Sequence, residues 1–326
     1  MSSITGRSEL DSQPSGDLAG STRRLGDRVF AGLSVGSGVF VVVVIAAVAV
    51  FLIAQAWPSL RDDSVDFLTS RTWNPGGSPP AFGVADLLWV TVISSVVAMA
   101  IAVPISIGVA LFLTQYAPPR LARPFAAAVD LLAAVPSIVY GLFGAYIVLD
   151  YLSSIQTGIS TVLGWVPLFS GDNIIPNSIF AGSVILSVMI LPIVTALSRE
   201  VFAQTPAAHK EAALALGATR WEVIRTAVLP YGRPGVISAS MLGLGRALGE
   251  TIAVLLIINV VRGTFHWTIF TGGETFASRI ARDAGEFDTP EKTGAYIAAG
   301  LVLFVLTFVV NAAARVVIER RKAFTE

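Results

Sequence analysis

The sequence predicts an all-α membrane protein with six transmembrane helices, and three observations carry that expectation. The first is composition: of 326 residues, 54% are hydrophobic and 13% charged, whereas a soluble domain carries about 25% charged residues. The second is a series of apolar runs near 29–56, 87–116, 125–148, 174–197, 235–261 and 294–314. Each is long enough to cross a hydrocarbon core that needs about 20 helical residues. The third is the placement of Lys and Arg. Six spans from a cytoplasmic start put 15 basic residues inside and 6 outside, with Arg246 in a span, whereas a seventh span at 151–171 gives 10 to 11. Basic residues favour the cytoplasmic side, so the uncharged, Ser- and Thr-containing stretch 151–171 is expected outside or half-inserted.

The first run lies in 32 uncharged residues between Arg28 and Arg61. It is too long for the apolar region of a signal peptide, about 7–15 residues, despite an Ala54-Gln55-Ala56 tripeptide of the cleavage type, and reads as a retained anchor. Residues 1–27, rich in Ser, Gly and charge, read as a tail without fixed structure. Pro104, Pro136 and Pro192 interrupt the second, third and fourth spans, each removing a backbone donor. Two readings stand, ordinary kinking or the shaping of a translocation cavity. Asp130, near the inner interface, is expected to meet a basic loop residue or water.

Several chemistries lack the residues they need. Net charge is zero, which removes the basic excess of a nucleic-acid binder. With no Cys and only His209 and His266, there are few ligands for zinc. Lys210, Lys292 and Lys322 all lie outside a Gly-x-x-x-x-Gly-Lys-[Ser/Thr] context, so the chain has no P-loop for ATP. A hydrolase dyad has little to draw on, although carboxylate chemistry at Glu250 keeps a membrane enzyme as the competing class.

The loop between spans four and five is expected to hold two short helices. Thr205 is placed to cap the first, with Pro206 at its first position, and Gly217 to end it in a left-handed turn. Thr219 and Glu222 have capping-box spacing for the second, which Pro230 is expected to end. Ala208, Ala212 and Ala215 lie at helical spacing and admit close approach of another surface, and His209 reads as a surface contact. In the fifth span, Arg246 is twelve residues beyond Pro234, about 18 Å along a helix and near mid-bilayer, where a lone charge costs about 2.5–3.5 kcal/mol or more. Glu250, four residues on, would share its helical face. The pair reads either as a structural ion bridge or as part of a substrate path, with Gly243 and Ala253 leaving space on that stripe and Gly245-x-x-x-Gly249 admitting a second helix.

Glu211-Ala212-Ala213, Gly217 four residues later and then Leu229-Pro230 resemble the EAA loop of ABC importer permeases, with Ala227 where the family has an Ile-like residue. The stretches 246–254, 134–144 and 113–118 resemble phosphate importer permeases, and Leu-Gly-Arg-Ala-Leu-Gly-Glu is similar to the PstC rather than the PstA type. The resemblance covers the chain from about residue 85 to its end and implies a type I, MetI-like permease fold. It divides the chain into a cytoplasmic tail at 1–27, a first span and external segment at 28–84, a permease core at 85–320 with the coupling loop at 199–233, and a tail at 321–326. It implies transport of inorganic phosphate across the bacterial plasma membrane, with both termini cytoplasmic and no cofactor on this chain. Arg246 and Glu250 would line the path, and Glu211, Ala212, Ala213 and Gly217 would couple to a separate ATPase. The implied partners are a PstA-type sister permease, two ATPase subunits that bind ATP, an extracytoplasmic phosphate-binding protein docked on 57–84 and 262–293, and membrane lipid. Permeases of the same fold for sulfate, molybdate or phosphonate share these features.

Overall fold

The computed structural model describes residues 25–171, 174–261 and 265–322. The tail expected at 1–27 lies outside them except for 25–27, which are helical, and the terminal tail lies outside them from 323. Two compact units divide at Phe51 and Leu52. The first holds the N-terminal part of helix α1 (Leu25–Asp62), and the second holds the rest of α1 and all other elements. Side chains of the first unit are exposed almost throughout, Phe30 and Phe40 among them, and lipid suits such an all-round apolar helix.

In the second unit, α1 leads to a two-stranded antiparallel ribbon, β1 (Trp73–Asn74) and β2 (Ala81–Phe82), with Trp73 opposite Phe82. Asp63 fixes its base by accepting the Phe82 N–H at 3.1 Å. Helix α2 (Ala85–Leu111) continues through a π-helical turn to Tyr116. After α3 (Pro119–Ala133) the chain breaks at Pro136 and resumes as α4 (Ser137–Phe143), a second π turn and α5 (Leu149–Leu163). The third span is therefore Ser137–Leu163, shifted from the expected 125–148. Most of the segment expected outside or half-inserted is the end of that helix, and only 164–171 form a loop with a short 3-10 turn. The break at Pro136 causes the shift, because Pro136 takes an extended conformation and starts a new helix rather than kinking an old one.

At the centre lies α6 (Ile179–Ala203), the most buried of the apolar helices. It starts later than expected because Ser178 caps it, its hydroxyl accepting the Ala181 N–H. Two further N–H groups at this end, of Ile179 and Phe180, donate to carbonyls of Thr271 and Ile269, so the loop before residue 275 supplies partners that lipid lacks. On α2, Ser94, Ala98, Ala102, Ser106 and Ala110 recur every fourth residue and are all buried. This small-residue ridge brings α2 against α6 closely enough for the Ser106 hydroxyl to donate to the Leu191 carbonyl at 3.1 Å. Pro104 and Pro192 lie inside continuous helices, so of the three expected breaks only Pro136 is one.

Beyond α6 come α7 (Ala207–Ala215), α8 (Arg220–Val223), a π turn at 224–228 and α9 (Leu229–Leu248). Pro230 does not end the helix as expected. The Leu229 N–H reaches back five residues to the Ile224 carbonyl, and the proline that cannot donate follows this widened turn directly. The chain continues with α10 (Ile252–Ile257), α11 (Phe276–Arg282) and α12 (Pro290–Lys322). Among the described residues, five helices are long and apolar enough to cross a membrane. The remaining expected span, the fifth, is the one that the fold breaks, between α9 and α10.

Candidate functional site: a broken span and a helical elbow

The fifth span stops being helical at Gly249, Glu250 and Thr251. Arg246 occupies the last turn of α9, and Glu250 lies outside that helix. The two do not share a helical face as expected, and no ion pair joins them among the described residues. Each charge is instead placed by a helix end. Arg246 sits where the α9 carbonyls make the terminus partially negative, and the buried Glu250 carboxylate accepts the Ala253 N–H of α10 at 3.2 Å, at a partially positive terminus. The Thr251 hydroxyl closes the gap by donating to the Gly249 carbonyl.

The stretch 134–144 packs against this break. A Cβ on Gly141 would stand 2.9 Å from the Ala253 Cα, and one on Gly144 would stand 2.8 Å from Ile185 Cγ1, so these glycines let α4 approach α10 and α6. Tyr140 is buried and donates its hydroxyl to the Leu132 carbonyl at 2.8 Å, which bridges the break at Pro136. In the sequence these residues stand out only through the family resemblance and as a glycine pair three apart beside a tyrosine.

Gly243 is not open space. A Cβ there would stand 2.7 Å from Ile190 Cγ2, because α9 packs on α6 at that point. Ala253 is filled by α4, whereas a Cβ on Gly245 would meet nothing within 4 Å.

The second feature is the elbow. Gly217 has φ +85°, the only positive φ among the described residues. Its N–H donates to the Leu214 carbonyl and that of Ala218 to the Ala213 carbonyl, the pair of bonds that closes a Schellman motif. Thr219 and Glu222 form the expected capping box: the Thr219 N–H donates to Glu222 Oε2 at 2.7 Å, and the Glu222 N–H to Thr219 Oγ1 at 3.4 Å. These bonds from Thr219 hold the Glu222 carboxyl below the usual glutamate range. Thr205 is not the cap of α7; its hydroxyl is buried, and Pro206 takes the extended capping position.

Glu211 and Ala212 are exposed and Ala213 is half-buried. Ala208 and Ala215 are exposed too, beside Leu214, Leu216 and Trp221, which present apolar surface. His209 meets Tyr231 edge-on. At the root of the elbow, Arg199 of α6 pairs with Asp130 of α3 at 3.1 Å, the basic partner expected for that acid.

A bundle of apolar helices with one span broken at a charged pair, and a capped helical elbow exposed at one end, defines a multi-pass helical permease rather than an anchor or a soluble domain. The chain belongs to the family of binding-protein-dependent transport system inner membrane components, whose model matches residues 102–323. It is 53% identical over 298 residues, 90% of this chain and 92% of the relative, to "Phosphate transport system permease protein PstC 2" of Mycobacterium tuberculosis. It is 54% identical over 273 residues to the PstC permease of Mycobacterium leprae, covering 82% of this chain and 86% of that one. Solved structures share the fold. An inward-facing MetNI methionine ABC transporter matches with TM-score 0.52 at 16% identity, over 72% of this chain and 94% of that chain. A bacterial ABC transporter involved in import of alginate matches with TM-score 0.52 at 16% identity, over 72% of this chain and 78% of that chain. The chain is therefore a permease subunit of an ABC importer, a multi-pass membrane protein that works with partner subunits.

Proposed function

We propose that this subunit carries inorganic phosphate into the cell, with Arg246 and Glu250 on the path. The observation that supports the reading is the break between α9 and α10, which leaves a guanidinium and a buried carboxylate at two helix ends without pairing them. Arginine suits an oxyanion because its planar fork of donors stays charged when desolvated. Glu250 can accept a hydrogen bond from a protonated phosphate oxygen, whereas sulfate offers no proton and meets an unrelieved carboxylate. The relatives' names support phosphate as the cargo.

The remaining parts follow from that assignment. A PstA-type sister permease completes the path, two ATPase subunits dock the elbow through Glu211, Ala212 and Ala213, and an external phosphate-binding protein delivers the anion. Both termini face the cytoplasm. The chain itself performs no catalysis, since ATP is bound and hydrolysed by its partners.

The test is uptake of labelled phosphate and sulfate by the complex in proteoliposomes, with subunit content verified. Wild type takes up phosphate in preference to sulfate. Arg246→Gln abolishes uptake while the complex still assembles, and Glu250→Gln weakens uptake or admits sulfate. Unchanged transport in both variants removes these residues from the path, and sulfate uptake equal to that of phosphate overturns the cargo.

A further inference from the structure

The shift of the third span to Ser137–Leu163 brings a carboxylate into the membrane. Asp150 is the only charged residue of that stretch and lies thirteen residues from either end, about 20 Å along a helix. It is exposed, and so is Tyr146 one turn earlier, at 80%. Ile147, Tyr151 and Ile155 flank the two on the surface. The other face is closed, since Leu149 and Leu152 are buried in the core that holds Phe180 and Ile185 of α6. A charge in the middle of a span is costly in lipid and is found paired or facing a cavity.

This chain supplies no cation for it. No ion pair joins Asp150 to a basic residue among the described residues. The apolar stretches of the spans hold a single basic residue, Arg246; no Lys or Arg occurs between Arg28 and Arg61, Arg71 and Arg120, Arg123 and Arg199, or Lys292 and Arg315. Arg246 lies at another level along α6. Gly243, three residues before it, packs on Ile190 and Val194. Gly144 instead packs on Ile185, and Gln156 donates to the Pro176 carbonyl, which sets Asp150 near the start of α6. Lipid tails offer neither a cation nor a hydrogen-bond donor.

We infer that this face of α4 and α5 is the surface on which the sister permease docks, and that a basic side chain of that subunit pairs with Asp150 inside the membrane. The inference rests on the sister permease named above, the other chain of the proposed complex whose helices lie in the bilayer. The ATPase subunits and the external binding protein do not reach a residue so far from both ends of a span. A second copy of this chain does not fit either, because a symmetric contact sets the same face against itself and leaves both carboxylates without a cation. The Tyr146 hydroxyl adds a polar contact, while Ile147, Tyr151 and Ile155 close around the pair and keep water from it. Such a pair selects the partner, since a chain lacking the cation leaves a buried charge unpaired.

The experiment uses the full complex, purified through a tag on this subunit. The photoreactive p-benzoylphenylalanine in place of Tyr146 is expected to crosslink to the sister permease, and peptide mapping then locates the facing helix. Asp150→Asn is expected to lower recovery of the sister permease by at least about tenfold, and Asp150→Lys by more, because each leaves the partner's charge unpaired or repelled. This subunit itself stays in the membrane fraction at its wild-type level. Replacing the mapped basic residue of the sister permease by Asp restores its recovery with Asp150→Lys. If either variant is degraded, the crosslink from position 146 decides with Asp150 intact. Crosslinks to lipid alone, or to another copy of this chain, overturn the docking surface. Wild-type recovery of the sister permease with both Asp150 variants also overturns it, whatever happens to uptake. A wild-type complex that contains no sister permease instead defeats the subunit composition on which the inference rests.

Discussion

At the scale of single residues, two helix ends do what an ion pair was expected to do. Arg246 and Glu250 are four apart in sequence, but the chain leaves the helix between them, so each charge is held by backbone dipoles and remains available to a third group. Their surroundings depend on Gly141. Its substitution by Ala would set a Cβ 2.9 Å from the Ala253 Cα, a backbone atom that moves only if α10 moves. Overpacking of this kind costs about 1–3 kcal/mol. Gly141→Ala is therefore expected to lower the melting temperature of the purified complex and to impair uptake. Gly108→Ala, in a helix with nothing within 4 Å of the new Cβ, is expected to be neutral or slightly stabilising, by up to about 1 kcal/mol. Equal melting temperatures for the two variants would refute the close-packing account. Gly141 was visible in the sequence, but its partner was not, because 112 positions along the chain separate it from Ala253.

At the scale of elements, the elbow is built from local chemistry. Its turn needs Gly217 at φ +85°, where a side chain costs about 1–2 kcal/mol. Gly217→Val should leave the membrane helices folded and misalign α7 against α8, so transport should fall sharply with the complex intact. Normal phosphate-stimulated ATP hydrolysis and uptake in an assembled variant would sink the proposed coupling role. Acid should loosen the same element. The Glu222 carboxylate has its pKa lowered by the bonds from Thr219, so its stabilisation is complete above the ordinary glutamate value, about 4.3. That stabilisation is lost as pH falls through the lowered value in the folded protein. Amide exchange in α8 should therefore accelerate on acidification over that window, and Glu222→Gln should flatten the dependence. The turn, the capping box and the Asp130 contact were legible because each rests on neighbours in sequence or on a lone charge needing a partner. The continuation of the helix through Pro230 was not, because a π turn leaves no composition signal.

At the scale of the whole molecule, the proposed topology of six spans puts the loop 164–171 and the elbow on opposite sides of the membrane, a prediction that labelling tests. The chain has no cysteine, so single cysteines report cleanly. Trp165 and Leu216 are 81% and 89% exposed, and both sites accept a label without disturbing a core. Trp165→Cys should react with an impermeant reagent only from outside, and Leu216→Cys only from inside. Labelling of both from one side would mean that an odd number of crossings is missing between them. The Ser94, Ala98, Ala102, Ser106 and Ala110 ridge was likewise present in the sequence at a spacing of four, yet only the structure shows that it meets α6.

Composition, apolar length and the side preference of basic residues determined that this chain is a helical membrane protein, since lipid imposes those terms on any sequence. Local backbone chemistry determined the elbow, because a left-handed glycine and a capping box bond within a few residues. Tertiary structure alone decided that the third span starts after Pro136 and that the fifth breaks at Glu250. It also brought Arg71 and Trp89 to the ring of Phe265. A helix can open its backbone inside a bilayer only where neighbouring segments or buried side chains supply the missing partners, and which segments become neighbours is set by packing across the fold.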